Sequence, residues 1–299
     1  MKILAIADIH NNVACVRKLR AQEANDYDAI AIAGDIGTHG AAEVFEILAT
    51  FKCPIVYVHG NWDRMPEDAK FGARAHLVHL QVVKVAGLAF AGYSFRGSLP
   101  QRLDHGSGGY AEKCRSLLRA VIRKSGVDLQ RCVLMTHDRA RHLDRDFPNL
   151  LLHIYGHVHT FDVRQRGATT YVNASALDRM LPVAGRRSSK HLRYVNAGNY
   201  AVIDVGRSGK VSVECRTVAA ELSRMERRRT PDIERTAGQG AHPRGCGVCG
   251  PARCPDARSP SARPLMGFTD AQSILRANSR PRPRRSAPIW RPYRGAAAF

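Results

Sequence analysis

KILAIADIHNNVACVRKLRAQEANDYDAIAIAGD, residues 2–35, decides the fold. Two apolar runs without polar alternation, 2–8 and 28–35, each end on an aspartate. Strands covered on both faces read this way, as in a parallel sheet. Between them, residues 12–24 carry helical spacing, with Asn11 or Asn12 available as the N-cap. PIVYVHGN (54–61) repeats the strand-and-elbow pattern after the helical stretch AAEVFEILATF (41–51). Strands and helices in this alternation predict β-α-β units and an α/β sheet.

Further along, HLVHLQVVKVAGLAFAGYS (76–94) reads as a hairpin turning at Ala86-Gly87, from a more antiparallel part of the sheet. EKCRSLLRAVIRK (112–124) is a basic amphipathic helix. CVLMTHD (132–138) and LLLHIYGHVH (150–159) are strands running into histidine-bearing loops. Residues 168–175, 193–205 and 210–218 add further strands, and 178–192 reads as a basic surface insertion. A folded domain is thus expected over 1–220. Residues 221–299, rich in Pro, Gly, Arg and Ser, bury too little apolar surface to offset their ordering entropy and are expected to be disordered.

The 299-residue chain has a net charge of +20, and its ends differ. Residues 1–220 hold 30 Lys and Arg against 20 Asp and Glu, whereas 221–299 hold 16 against 6. The tail therefore carries half the excess, which fits anionic partners such as phosphate esters or nucleic acid and fits solvated arginine at least as well. No apolar run is long enough to span a bilayer, and residues 1–9 enter a strand pattern at once, so a cytoplasmic protein with no membrane partner is expected. Cys15, Cys53, Cys114, Cys132 and Cys215 are scattered, and read as free thiols.

Five polar elbows follow apolar strands: Asp8-Ile9-His10, Gly34-Asp35, Gly60-Asn61-Trp62-Asp63, Thr136-His137-Asp138 and Gly156-His157-Val158-His159. Ligands gather at the carboxyl ends of strands in open α/β sheets, so these elbows are placed to converge. In extended backbone, residues i and i+2 share a side, which would pair Asp8 with His10 and His157 with His159. Carboxylate and imidazole without clustered thiolate suit Mn, Fe, Zn or Co. Singly, each elbow is an ordinary turn or cap. Five in strand-end context are a joint signal.

In that order these motifs resemble the calcineurin-like metallophosphoesterase superfamily over about residues 1–205. The resemblance implies a β-sandwich of two mixed sheets flanked by helices. By position it implies that Asp8, His10 and His159 bind a first metal and that Asn61, His137 and His157 bind a second. Asp35 would bridge both. Asn196-Ala197-Gly198 is similar to the family's Asn-Pro-Gly, with Ala in place of Pro. Two divalent ions, manganese first, would sit roughly 3.5–4 Å apart, hold a bridging hydroxide and clamp a phosphate mono- or diester during in-line displacement. Asn61 is expected to face the phosphate, and Asp63 is the other catalytic candidate; in many family members the residue at its position orients an imidazole that this chain lacks.

One departure bears on that chemistry. Many family members have His where this chain has Trp62, and an indole N–H cannot shuttle a proton. Substrates with good leaving groups, or another acid, are expected. His59, Asp138 and His105 are the candidates, with Arg64 a candidate phosphate contact. Two other readings stand beside the hydrolase: a binding scaffold of low activity, and a nuclease or nucleic-acid-binding protein using the basic tail. His242, Cys246, Cys249 and Cys254 have four soft donors, but in a spacing that favours incidental cysteines over structural zinc.

Overall fold

The computed structural model describes residues 1–23, 26–64, 70–95, 109–140, 142–182, 192–195 and 197–221, all within the unit Met1–Gly245. His105, Asn196, the cysteine cluster and the tail from 222 lie outside the described residues.

Two six-stranded mixed sheets form the frame. In the first, β1 (Lys2–Ile6), β2 (Ala29–Ala33), β3 (Ile55–Val58) and β4 (Ala75–Leu77) run parallel. The edge pair β13 (Gly198–Val205) and β14 (Val211–Val218) joins on the other side of β1, with β13 antiparallel to it. The second sheet has parallel strands β6 (Leu88–Tyr93), β7 (Cys132–Thr136), β8 (Leu152–Tyr155) and β10 (Thr169–Asn173). Antiparallel β5 (Val82–Val85) and β9 (Asp162–Arg166) form its edges. A short antiparallel pair, β11 (Met180–Pro182) with β12 (Leu192–Tyr194), stands apart.

Side-chain size explains how the layers stack. On β1 and β2, Ile3, Ala5, Ala29, Ala31 and Ala33 face the second sheet and pack with Phe90, Val133, Met135 and Ile154. The alternate positions, Leu4, Ile6, Ile30 and Ile32, face outward, where α1 (Val13–Gln22) and α2 (Ala41–Ala49) cover them with Val16, Leu19, Val44, Phe45 and Leu48. The outer face of the second sheet meets Cys114, Leu118 and Ile122 of α3 (Tyr110–Ser125). Burial on both faces removes polar alternation from the strands, so the expected two-sheet α/β sandwich is the one observed.

Asn12 is the N-cap of α1, its Oδ1 accepting from Cys15 N at 3.3 Å. The Ala86-Gly87 turn joins β5 and β6 as expected, but the first apolar run divides. Residues 75–77 pair with β3 in the first sheet, and only 82–85 belong to the hairpin. The five cysteines through Cys215 are free; burial pushes the thiols of Cys15 and Cys132 up to about 12, which keeps them inert. Among the described residues, no helix is long and apolar enough to cross a membrane.

Three elbow glycines let the strand-end loops pack closely. A Cβ on Gly34, whose φ is +87°, would lie 2.7 Å from Gly60 N and from His137 Nδ1. One on Gly156 would lie 2.7 Å from the Ala7 Cβ and from Asp8 Oδ2. At Gly60 it would run into the backbone nitrogen and carboxylate of Asp35. Gly60→Ala is therefore expected to cost about 1–3 kcal/mol by overpacking. Denaturant unfolding checks this; an unchanged midpoint would show that the elbow yields freely.

Candidate metal centre

The loops after β1 and β2 are laced together by backbone. Asp8 N donates to Gly34 O at 3.1 Å, and the N–H groups of Ile9 and His10 both donate to Asp35 O, at 2.8 and 2.9 Å. Asn11 Oδ1 adds bonds from His39 N and Gly40 N at 2.9 and 2.8 Å. These bonds hold Asp8 (φ 53°), His10 (47°) and Asp35 (53°) in the left-handed region, as are His157 (71°) and His159 (51°). Extended i, i+2 geometry was the sequence expectation. Tight left-handed turns do the presenting instead, at a cost of order 1 kcal/mol or more per residue. Five of the eleven described non-glycine residues with positive φ are thus expected ligands, as strain concentrates at functional sites.

All seven residues expected as ligands come together there. Asp8, His10 and His159 form one group, and Asp35, His137 and His157 a second, with donor atoms in each group within 4.8 Å of one another. Asp35 stands between them. Its Oδ2 lies 2.8 Å from His10 Nε2 and 3.2 Å from His137 Nε2, one ring from each group. His137 Nε2 is also 3.0 Å from Asn61 Oδ1 and 3.2 Å from His157 Nδ1. His159 Nε2 sits 3.5 Å from Asp8 Oδ1. The sheets join through this knot, because His157 N donates to Asp8 Oδ2 at 3.0 Å and His137 Nδ1 donates to Ala33 O at 2.9 Å.

The outer contacts aim the donors. His137 spends Nδ1 on a carbonyl and points Nε2 inward. His10 does the same through a residue that the sequence reading left inside a basic insertion: Asp178, whose Oδ2 is 2.5 Å from His10 Nδ1. Asp178 is buried after β10, pinned by its N–H to Asp8 O at 3.0 Å, and its Oδ1 lies 3.3 Å from His159 Nδ1. This carboxylate–imidazole arrangement is how proteins orient metal-binding histidines. Its only sequence signal is an acidic residue in an arginine-rich stretch, so that part of the basic-surface expectation is corrected.

The titration behaviour suits a cation site. Burial alone would lower His10, but its bonds to Asp178 and Asp35 push it up to about 10. Burial likewise opposes protonation of His137, yet Asp35 and Asp8 raise it to about 9. Burial would raise Asp35; the facing imidazoles instead hold it well below the usual carboxylate range. In the metal-free protein, protons on these rings supply the positive charge that the carboxylates demand. The donor set of imidazole, carboxylate and amide oxygen fits two divalent ions.

The third elbow divides its labour. Asn61 faces the centre, half-buried. Trp62 N donates to Asp35 Oδ1 at 2.8 Å, leaving Oδ2 for the centre, while its indole packs 4.8 Å from the His10 ring. Asp63 is fully buried, with Oδ1 accepting from Gly37 N at 2.8 Å and Oδ2 from Gly60 N at 2.7 Å. Phe95, after β6, packs against His137 and His157 with ring centroids 6.0 and 6.1 Å away; nothing in the sequence singled it out. Of the alternative acids, His59 is buried with neither ring nitrogen hydrogen-bonded, and burial beside His79 lowers it to about 4. Asp138 and Arg64 are exposed on their loops.

Residues 1–197 match the model of the calcineurin-like phosphoesterase superfamily domain. The chain belongs to that superfamily. Its members are generally hydrolytic phosphoesterases, and the family typically uses divalent metals. Comparison with curated proteins returns no match for this superfamily member. Among solved structures, it is similar to the TT1561 protein of Thermus thermophilus, with 18% identity, 71% of this chain and 97% of the other covered, and a TM-score of 0.47. It is also similar to the phosphopantetheinyl hydrolase of Mycobacterium tuberculosis (13%; 65% and 95%; 0.40) and to a novel archaeal phosphodiesterase (17%; 72% and 99%; 0.38).

Proposed function

We propose that this calcineurin-like phosphoesterase chain is a dinuclear hydrolase of phosphate mono- or diesters. The observation that carries this reading is Asp35 Oδ2, within 3.2 Å of a ring nitrogen from each donor group. Asp8, His10 and His159 would hold one ion and Asn61, His137 and His157 the other, with Asp35 shared. Manganese is our first choice, ahead of iron, zinc and cobalt. Bound there, the ions supply Lewis-acid polarisation of phosphoryl oxygens and an activated water.

The chain's own groups do the rest. Asn61 turns its amide oxygen to His137, which leaves the amide N–H groups to donate to a phosphoryl oxygen. Asp178 and the Ala33 carbonyl fix the rings of His10 and His137. Asp63, with both oxygens on loop N–H groups, positions the Gly60 elbow and does not touch the reacting atoms.

Proton supply to the leaving group is the weak point. Trp62 takes the place of an imidazole, and His59 is uncharged at neutral pH. Esters with acidic leaving groups are therefore favoured. Chelator-treated protein should be inactive towards a chromogenic phosphodiester and recover with Mn²⁺. Stoichiometric metal without turnover of mono- or diesters would leave a binding scaffold. Trp62→His should speed unactivated alkyl esters by on the order of 10²-fold, the lower end of general-acid effects, with no comparable gain on aryl esters. Equal rates for both proteins on both ester classes would contradict the missing-acid argument.

A further inference from the structure

We infer that Trp62 is an aromatic platform at the metal centre, and that the substrates of this site are aryl phosphate esters whose ring lies against the indole. The inference rests on the phosphoesterase reading above and adds the substrate class.

Trp62 is 41% exposed in a protein whose described residues leave only four large apolar side chains exposed. Two of those four, Trp62 and Val158, belong to the loops that carry the donors. The indole is held in place. Its backbone N–H is bonded to Asp35 Oδ1 at 2.8 Å and its carbonyl accepts from Thr38 Oγ1 at 3.0 Å. Its ring meets His10 at a 54° tilt with centroids 4.8 Å apart, and His10 in turn stacks on His159 with centroids 5.1 Å apart and planes 27° apart. The column Trp62–His10–His159 thus joins an exposed π surface to one donor group. A fixed indole offers a flat ring an attractive face at little entropic cost.

A second observation points the same way. The third elbow gives the leaving oxygen no proton donor: Asp63 is spent on backbone, His59 before it is enclosed with neither ring nitrogen hydrogen-bonded, and an indole does not transfer its proton. In the step that suits such a site, a water oxygen forms the new P–O bond and its proton passes to solvent. The P–O bond to the aryl group breaks, and its electron pair departs on the aryl oxygen as phenolate. Phenolate leaves without protonation where an alkoxide does not. Its ring is also the part of the ester that a tryptophan can bind.

The test compares methyl phenyl phosphate with methyl hexafluoroisopropyl phosphate, whose leaving alcohols have comparable acidity, using the full chain loaded with Mn²⁺. Trp62→Ala should lower kcat/KM on the phenyl ester by about tenfold more than on the fluoroalkyl ester, within the range that aromatic stacking supplies. Trp62→Phe should keep most of the preference. Equal losses on both esters, or none, would overturn the platform. Binding provides a readout independent of turnover. In a Trp290→Phe background, which leaves Trp62 the sole indole, phenyl phosphate should quench fluorescence at about tenfold lower concentration than ethyl phosphate. If the protein hydrolyses neither ester, nor phenyl phosphate as a monoester, the phosphoesterase reading fails. The quenching then decides the platform alone: selective quenching supports it, and indifference between the two ligands overturns it.

Discussion

Asp35→Asn is expected to lower phosphoesterase turnover by more than 10²-fold and to leave at most one tightly held ion per chain. Loss of a group that only orients a ligand typically costs 10–100-fold in affinity or activity, and Asp35 is proposed as the ligand common to both groups. The amide is nearly isosteric, and its oxygen can still accept the Trp62 N–H now bonded to Oδ1. The charge between His10 and His137 disappears, so their Nε2 atoms lose the carboxylate at 2.8 and 3.2 Å. Elemental analysis, initial rates and a circular dichroism control check the result. A variant with two ions and a wild-type rate would show that Asp35 does not join the sites.

Asp178→Asn is the second large effect, at a residue that touches no substrate in this account. It should weaken metal binding at the Asp8–His10–His159 group by about 10–100-fold, since Asp178 fixes His10 through Nδ1 and lies beside His159. A positioning role also has a signature in the metal-free protein. His10 titrates at about 10 in the fold against an ordinary 6.5. Its ion pairs therefore contribute fully below about pH 6.5, and the contribution is lost as pH rises through about 10. Chelator-treated wild type should lose thermal stability across that window, and Asp178→Asn should show a flatter profile there. Metal must displace the His10 proton, so binding should release protons and tighten with rising pH. Parallel pH profiles for the two proteins would remove Asp178 from the centre.

How much of this was legible follows from the range of each signal. The strands near the core are short apolar runs closed by polar elbows, and both features are local in sequence. That is why β1, β2, β3, β7 and β8 and the seven converging residues could be read directly. Asp178 was not, because its partner His10 lies 168 positions away and it opens a stretch, 178–192, that reads as basic surface. The edge strand β9, Asp162–Arg166, has one apolar residue and an exposed face, so it carries no strand pattern. β4 is three residues long and borders the apolar run of the hairpin, which merged two elements of different sheets into one. The left-handed turns at Asp8, His10 and Asp35 are also invisible locally. The backbone bonds that impose them cross between the β1 and β2 loops. Asp63 illustrates the converse. Its position in the motif was evident, but its partners, Gly37 N and Gly60 N, had to be seen before it could be read as a brace.

The dinuclear centre is tested most directly by anomalous diffraction from crystals grown with Mn²⁺. Two peaks are predicted, one against Asp8, His10 and His159 and the other against Asn61, His137 and His157, both in contact with Asp35. A single peak at saturating metal, or two that do not share Asp35, would contradict the account.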